Sequence, residues 1–197
     1  MLKVGLTGGI GCGKSTVARI LTSFGIPVFN ADLEARILMQ TSADLIRGIR
    51  NLFGDEAYND TALNREFLAK IVFADPAKLK KLNQLVHPAV HRHFEEWALT
   101  QKGNNYLVEE AALLCETGSY KFFDYLVLVT APEQKRIERV MLRDGISKME
   151  VENRMNSQMP EVEKIPMAHF LIFNDDENMI LSQVLAFHEK MISLNKK

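Results

Sequence analysis

Cysteine is scarce. The 197 residues contain two, Cys12 and Cys115, at a spacing that fits neither a zinc site nor a disulfide framework. A free cysteine at position 12 fits a reducing compartment. Charge of one sign is not in excess either. Twenty-four Lys and Arg face 25 Asp and Glu, a formal net charge of −1, which leaves no electrostatic case for nucleic acid or an anionic membrane as partner. No apolar run approaches the length of a membrane span; the longest is Tyr125 to Ala131. The chain enters a strand at once, with no room for a signal peptide, so a cytoplasmic location is expected. The one tryptophan, Trp97, is expected to pack rather than to stack on a base. No Asn-Lys-x-Asp guanine-reading run follows any strand; Asn174-Asp175-Asp176-Glu177 is unlike it, which excludes a guanine-nucleotide switch. Internal repeats, low-complexity segments and linkers are absent. At 47% hydrophobic and 25% charged, the chain reads as one domain with a sizeable core.

What the chain does have is Gly8-Gly9-Ile10-Gly11-Cys12-Gly13-Lys14-Ser15-Thr16. This run fits G-x-x-x-x-G-K-[ST]. Lys3 to Thr7 before it reads as a short buried strand. Lys14 to Phe24 after it reads as a helix with Val17, Ala18, Ile20, Leu21 and Phe24 on one face. Glycines at 8, 9, 11 and 13 let the backbone bend around a triphosphate with its N–H groups pointing inward. The helix adds its free first-turn amides and the positive end of its dipole. Lys14 supplies a cation for the β- and γ-phosphates, Ser15 a hydroxyl for Mg²⁺, Thr16 a donor to a phosphate oxygen. Cys12 contributes its backbone. ATP and Mg²⁺ are the expected ligands.

Ile26 to Asn30 reads as the second strand. Asp32 follows it, either orienting or deprotonating a hydroxyl or capping a helix. Arg36, one turn on, either holds an anionic group or pairs with Asp32. Residues 33 to about 103 show no strand pattern. Helical spacing covers Leu33–Met39, Leu45–Phe53, Asn64–Phe73 and Pro76–Leu99, broken near Gly54, Asp60-Thr61 and Asp75-Pro76, and implies an inserted acceptor-binding lobe. His87, His91 and His93 cluster there without the carboxylate of a zinc-protease pattern, and solvated or capping roles are expected over a metal site.

Tyr106 onward reads as the third strand, with Glu109 and Glu110 at its end and Glu116 beyond. One of the pair is expected to hold Mg²⁺ through water, Glu110 being the choice, and Glu116 to line the acceptor crevice. Asp124 to Thr130 reads as a central strand. The helix opened by Pro132-Glu133 carries Arg136, Arg139 and Arg143, and Ile146 to Met159 is a short charged helical segment. The stretch from about 144 to 160 reads as a lid whose arginines close over ATP, or as an exposed helix laced with ion pairs. His169 to Asn174 is the last strand, and the loop from Asn174 is expected to border adenine. A final helix runs from Glu177 to Leu194 and ends in a basic tail.

Strands alternating with helices imply an α/β fold: a P-loop NTPase-like three-layer αβα sandwich on a mostly parallel five-stranded sheet. A small-molecule kinase, a slowly hydrolysing nucleotide switch and a nucleic-acid motor all share such a core. The acceptor-side acid, the inserted lobe and the arginines favour the kinase. The glycine-rich run, Asn30-Ala31-Asp32 with Arg36, His87-Pro88-x-Val90, and Arg143-Asp144-Gly145-Ile146-Ser147 with Arg154 and Gln158 together resemble the dephospho-coenzyme A kinase family, in order and over nearly the whole chain. The resemblance implies ATP-dependent phosphorylation of the ribose 3′-hydroxyl of dephospho-coenzyme A. It implies that Asp32 is the base-like acid, that Lys14 and Ser15 serve phosphates and Mg²⁺, and that Arg139 and Arg143 are lid arginines. Arg36, His87 and Glu116 join Asp32 on the acceptor side. One departure stands out. The family's Asp-x-Pro-Leu-Leu-Phe-Glu is Glu110-Ala111-Ala112-Leu113-Leu114-Cys115-Glu116 here, with a longer acid arm and no proline in the turn. The alternative acceptor is a nucleoside monophosphate, and a monomer or weak homo-oligomer is expected.

Overall fold

The alternation of apolar runs and amphipathic segments resolves in a computed structural model that describes residues 1–60 and 62–194. In chain order the elements are β1 (Leu2–Thr7), α1 (Lys14–Ser23), β2 (Val28–Asn30), α2 (Ala31–Thr41), α3 (Ala43–Phe53), β3 (Tyr58–Asn59), β4 (Ala62–Leu63), α4 (Arg65–Ala74), α5 (Pro76–Thr100), β5 (Tyr106–Glu110), β6 (Tyr125–Thr130), α6 (Glu133–Asp144), α7 (Lys148–Asn156), α8 (Glu161–Lys164), β7 (Phe170–Phe173) and α9 (Ile180–Leu194). They fall into two compact units: Met1–Asn30 with the chain from Gln101 onward, and Ala31–Thr100. Thr61, in one expected helix break, and the expected basic tail lie outside the described residues.

The first unit is built on a five-stranded sheet of order β2-β5-β1-β6-β7. Every pairing in it is parallel. Parallel strands buried on both faces carry no polar alternation, which is why β6 reads Tyr-Leu-Val-Leu-Val-Thr. On one face Val4, Leu6, Tyr106 and Val108 pack with Val17, Ala18 and Leu21 of α1 and with Val184, Phe187 and Met191 of α9. On the other, Leu114, Phe123 and Leu126 crowd over Gly5. Two element starts shift from expectation for local reasons. β2 begins at Val28 because Pro27 has no N–H for the ladder; its carbonyl instead accepts from Val108 N at 3.0 Å. α9 begins at Ile180, not Glu177. Asp175 Oδ1 accepts from the backbone N–H groups of Glu177 and Asn178, a local turn that competes with helix.

The second unit is mostly helical. Ser42 caps α3 and Asn64 caps α4. In α5, Val86, Val90, Phe94 and Ala98 recur every fourth residue and are all buried, while Pro88 sits on an exposed position. Its core gathers Ile49, Ala57, Tyr58 and Leu68. The expectation of no strand in this stretch is corrected: β3 and β4 form an antiparallel ribbon, Tyr58 opposite Leu63 and Asn59 opposite Ala62. Two residues per strand are too few for periodicity to register.

Candidate active site

The glycine-rich run joins β1 to α1. Gly13 adopts φ +95° immediately before the first helical residue, in the left-handed region that L side chains avoid. A Cβ there would fall 2.1 Å from Asn174 Nδ2. Asn174 Nδ2 donates to Cys12 O at 2.8 Å, so the end of β7 is tied to the loop's inner turn. Lys14 Nζ reaches back to Gly8 O at 2.9 Å. The first-turn amides of α1 have no partner within the helix, and Ser15 stands exposed among them. Thr16 N–H instead bonds Gly13 O at 3.0 Å. The Cys12 side chain is fully buried in the core; burial pushes its thiol up, against the smaller pull of Lys14, and makes it inert.

The outer side of the loop is gripped at Ile10. Its N–H donates to Gln158 Oε1 at 2.8 Å, and its carbonyl accepts from Arg136 Nε at 2.9 Å. Its side chain packs against the buried cluster of Ile137, Val140 and Val151. The Arg136 guanidinium lies so close that a Cβ on Gly9 would meet it at 2.2 Å. Arg136 also pairs with Glu161 at 3.5 Å. Burial raises the Glu161 carboxyl, with Arg136 opposing. Arg136, Gln158 and Glu161 line a cavity of about 630 Å³ together with Thr130, Pro132 and Phe173.

The other arginines separate. Arg139 Nη2 donates to Asp176 Oδ1 at 2.8 Å, and its Nη1 is buried with no hydrogen-bond partner among the described residues. Lys135 pairs with the same Asp176, and its hydrogen bond is the largest influence holding that carboxyl below the usual range. Arg143 binds Asp144 through two nitrogens, at 2.7 and 3.0 Å, and Arg154 joins the same carboxylate at 3.0 Å. The Arg143 hydrogen bond leads in holding Asp144 below the usual range. The expected helical segment to Met159 ends at Asn156, opened by a Ser147–Glu150 capping box.

Both acids at the end of β5 are buried. Glu110 shares register and parity with Leu6, Tyr106 and Val108, on the α1 side of the sheet, and accepts from Asn30 Nδ2 at 3.1 Å. Glu116 is partly buried, its side chain 18% exposed. Its Oε1 accepts from the buried Lys164 ammonium and from Met159 N–H at 3.2 Å. Its Oε2 is buried without a hydrogen-bond partner among the described residues.

Asp32, Arg36 and His87 belong to the second unit. Asp32 is exposed in the first turn of α2, two residues past the end of β2. No hydrogen bond or ion pair joins it to Arg36 among the described residues, and neither does its side chain cap the helix. His87 on α5 is half-buried; burial lowers its pKa from 6.5, and the nearby Asp32 charge pulls the other way. His93 Nε2 meets Glu34 Oε2 at 3.2 Å. No cluster of three or more His, Cys, Asp or Glu suited to a metal occurs among the described residues.

A sequence model of dephospho-CoA kinases matches residues 2–179. The chain belongs to the dephospho-CoA kinase family. The dephospho-CoA kinase of Salinibacter ruber is 43% identical over 178 residues, 89% of each chain. A Thermus thermophilus crystal structure superposes with a TM-score of 0.86 at 35% identity, covering 96% of both chains. The dephospho-CoA kinase of Campylobacter jejuni superposes with a TM-score of 0.71 at 25% identity, over 98% of both. Arg136 on the loop and Lys164 on Glu116 are two contacts that sequence reasoning did not single out. Arg136 was visible as one of three arginines on α6. Only the fold separates it from Arg139 and Arg143, by turning it onto the loop. Lys164 left no signal: a lysine on a short charged segment reads as solvated, yet it is 1% exposed. No described helix is long and apolar enough to cross a membrane.

Proposed function

We propose that this protein transfers the γ-phosphoryl group of ATP to the ribose 3′-hydroxyl of dephospho-CoA, giving CoA and ADP. Membership of the dephospho-CoA kinase family over residues 2–179 carries the proposal. The loop geometry supports it. The left-handed Gly13 turns the chain into α1, whose first-turn amides have no acceptor within the helix, and such a helix start binds a nucleotide's phosphates. Lys14, now on Gly8 O, exchanges that carbonyl for phosphate oxygens when ATP is bound.

Asp32 aligns the acceptor hydroxyl and takes its proton. Its carboxylate is exposed, and no ion pair holds it among the described residues, which supports this role over capping. Arg36 and the neutral His87 bind the acceptor. The Arg139 Nη1, a buried donor without a hydrogen-bond partner among the described residues, supports a nucleotide-side role, and Arg143 on the same helix face neutralises charge on the transferred group. Asn174 holds the Cys12 carbonyl and so keeps its own loop beside the nucleotide site.

The donor set fits Mg²⁺. An exposed Ser15 hydroxyl and the Glu110 carboxylate are hard oxygen ligands, and alternation puts Glu110, rather than Glu109, on the α1 face. Ser15 would hold the ion directly and Glu110 through water. When bound, Mg²⁺ would supply charge neutralisation at the phosphates. Residues 31–100 form the acceptor lobe and about 144–160 the lid.

A coupled ADP-release assay across acceptors tests the proposal. Dephospho-CoA should stimulate ADP release far above nucleoside monophosphates or no acceptor. A preference for a nucleoside monophosphate, or hydrolysis that no acceptor stimulates, would refute it.

A further inference from the structure

Residue Ile10 is held three ways by parts of the chain more than 120 residues away. Gln158 takes its N–H, Arg136 takes its carbonyl, and its side chain packs against apolar residues of α6 and α7. Both holding side chains are themselves fixed. Arg136 is 9% exposed and braced by Glu161. Gln158 immediately precedes Met159, whose N–H is bound to Glu116 Oε1, the same oxygen that Lys164 grips. Each satisfies a backbone group of Ile10, which precedes the run of amides from Gly11 to Ser15. Such a loop, rich in glycine, would otherwise lose about 1–2 kcal/mol of backbone freedom per residue on binding.

We infer that Gln158 and Arg136 are positioning residues for nucleotide binding: by fixing both polar groups of Ile10 they keep the amides from Gly11 to Ser15 arranged for a nucleotide's phosphates before it arrives. The inference rests on the phosphate-binding reading of the loop. It assigns Arg136 a role apart from Arg139 and Arg143, and it makes the segment after α7 part of the nucleotide site without touching the nucleotide.

The test is a set of ADP and ATP titrations with steady-state kinetics on wild type, Gln158→Leu, Arg136→Met and the double variant. Gln158→Leu should weaken ADP and ATP binding by roughly 5- to 50-fold, the factor that one lost hydrogen bond to a shielded donor gives. KM for ATP should rise in parallel, kcat should fall by less than about threefold, and KM for the acceptor should hold. Amide hydrogen exchange in residues 8–13 should quicken. Because both side chains act through one residue, the double variant should lose less than the product of the two single losses. If Gln158→Leu fails to fold, Arg136→Met reads the carbonyl side by the same measures. Wild-type affinity for ADP in these variants would overturn the inference, as would equal losses for nucleotide and acceptor. A wild-type protein that binds no ADP would instead overturn the phosphate-binding reading itself.

Discussion

Replacing Lys164 by alanine should destabilise the protein more than its surface-like sequence suggests. Lys164 is 1% exposed and the Glu116 side chain 18%. The ammonium and Met159 N–H share Glu116 Oε1, and Oε2 has no partner among the described residues. Without the lysine, a mostly buried carboxylate keeps one hydrogen bond. Breaking such a pair from one side costs about 3–5 kcal/mol, and the residual exposure of Glu116 points to the lower end. For a chain of this size about 3 kcal/mol corresponds to a melting temperature lower by about 6–12 °C. Thermal unfolding followed by circular dichroism measures it. The double replacement Lys164→Leu with Glu116→Leu should recover part of the loss, because no unpaired charge remains. If Lys164→Ala melted within about 1 °C of wild type, the pair would contribute nothing net and the reasoning would fail.

Asp32→Asn should lower turnover by about two orders of magnitude or more while leaving ATP affinity nearly unchanged, the pattern of lost alignment or proton transfer; near-normal kcat would remove Asp32 from the mechanism. Gly13→Ala should cost about 1–2 kcal/mol in backbone strain alone, and more through the clash with Asn174, so nucleotide titration should show binding lost or severely weakened. Wild-type affinity in that variant would show that φ +95° is dispensable. His87 contributes a pH dependence. Its folded pKa lies below 6.5, so as pH falls through that value the unfolded chain takes up the proton first and stability declines. Melting temperature between about pH 7 and pH 5 should therefore fall more steeply in wild type than in His87→Gln. Equal slopes would refute it.

The sheet and the phosphate loop were legible because their signals are local and redundant. Glycines, Lys14 and Ser15 sit between a strand and a helix that each declare themselves by periodicity. The Glu109–Glu110 choice needed register: only pairing with Leu6 puts Glu110 on the α1 side. The β3–β4 ribbon escaped because two residues set no period. The start of α9 escaped because Asp175 captures two amides through its side chain, a bond that propensity does not record. Arg136 and Lys164 were hidden for a deeper reason. Their partners, Ile10 and Glu116, are distant in sequence, and charge alone does not say whether a side chain meets solvent or a carbonyl.

The most direct measurement is product identification. Incubation with ATP, Mg²⁺ and dephospho-CoA, followed by mass spectrometry and phosphorus NMR, should yield CoA carrying the new phosphate on the ribose 3′-oxygen, in step with ADP. Phosphate appearing only as free inorganic phosphate, or attached at another position, would contradict the account.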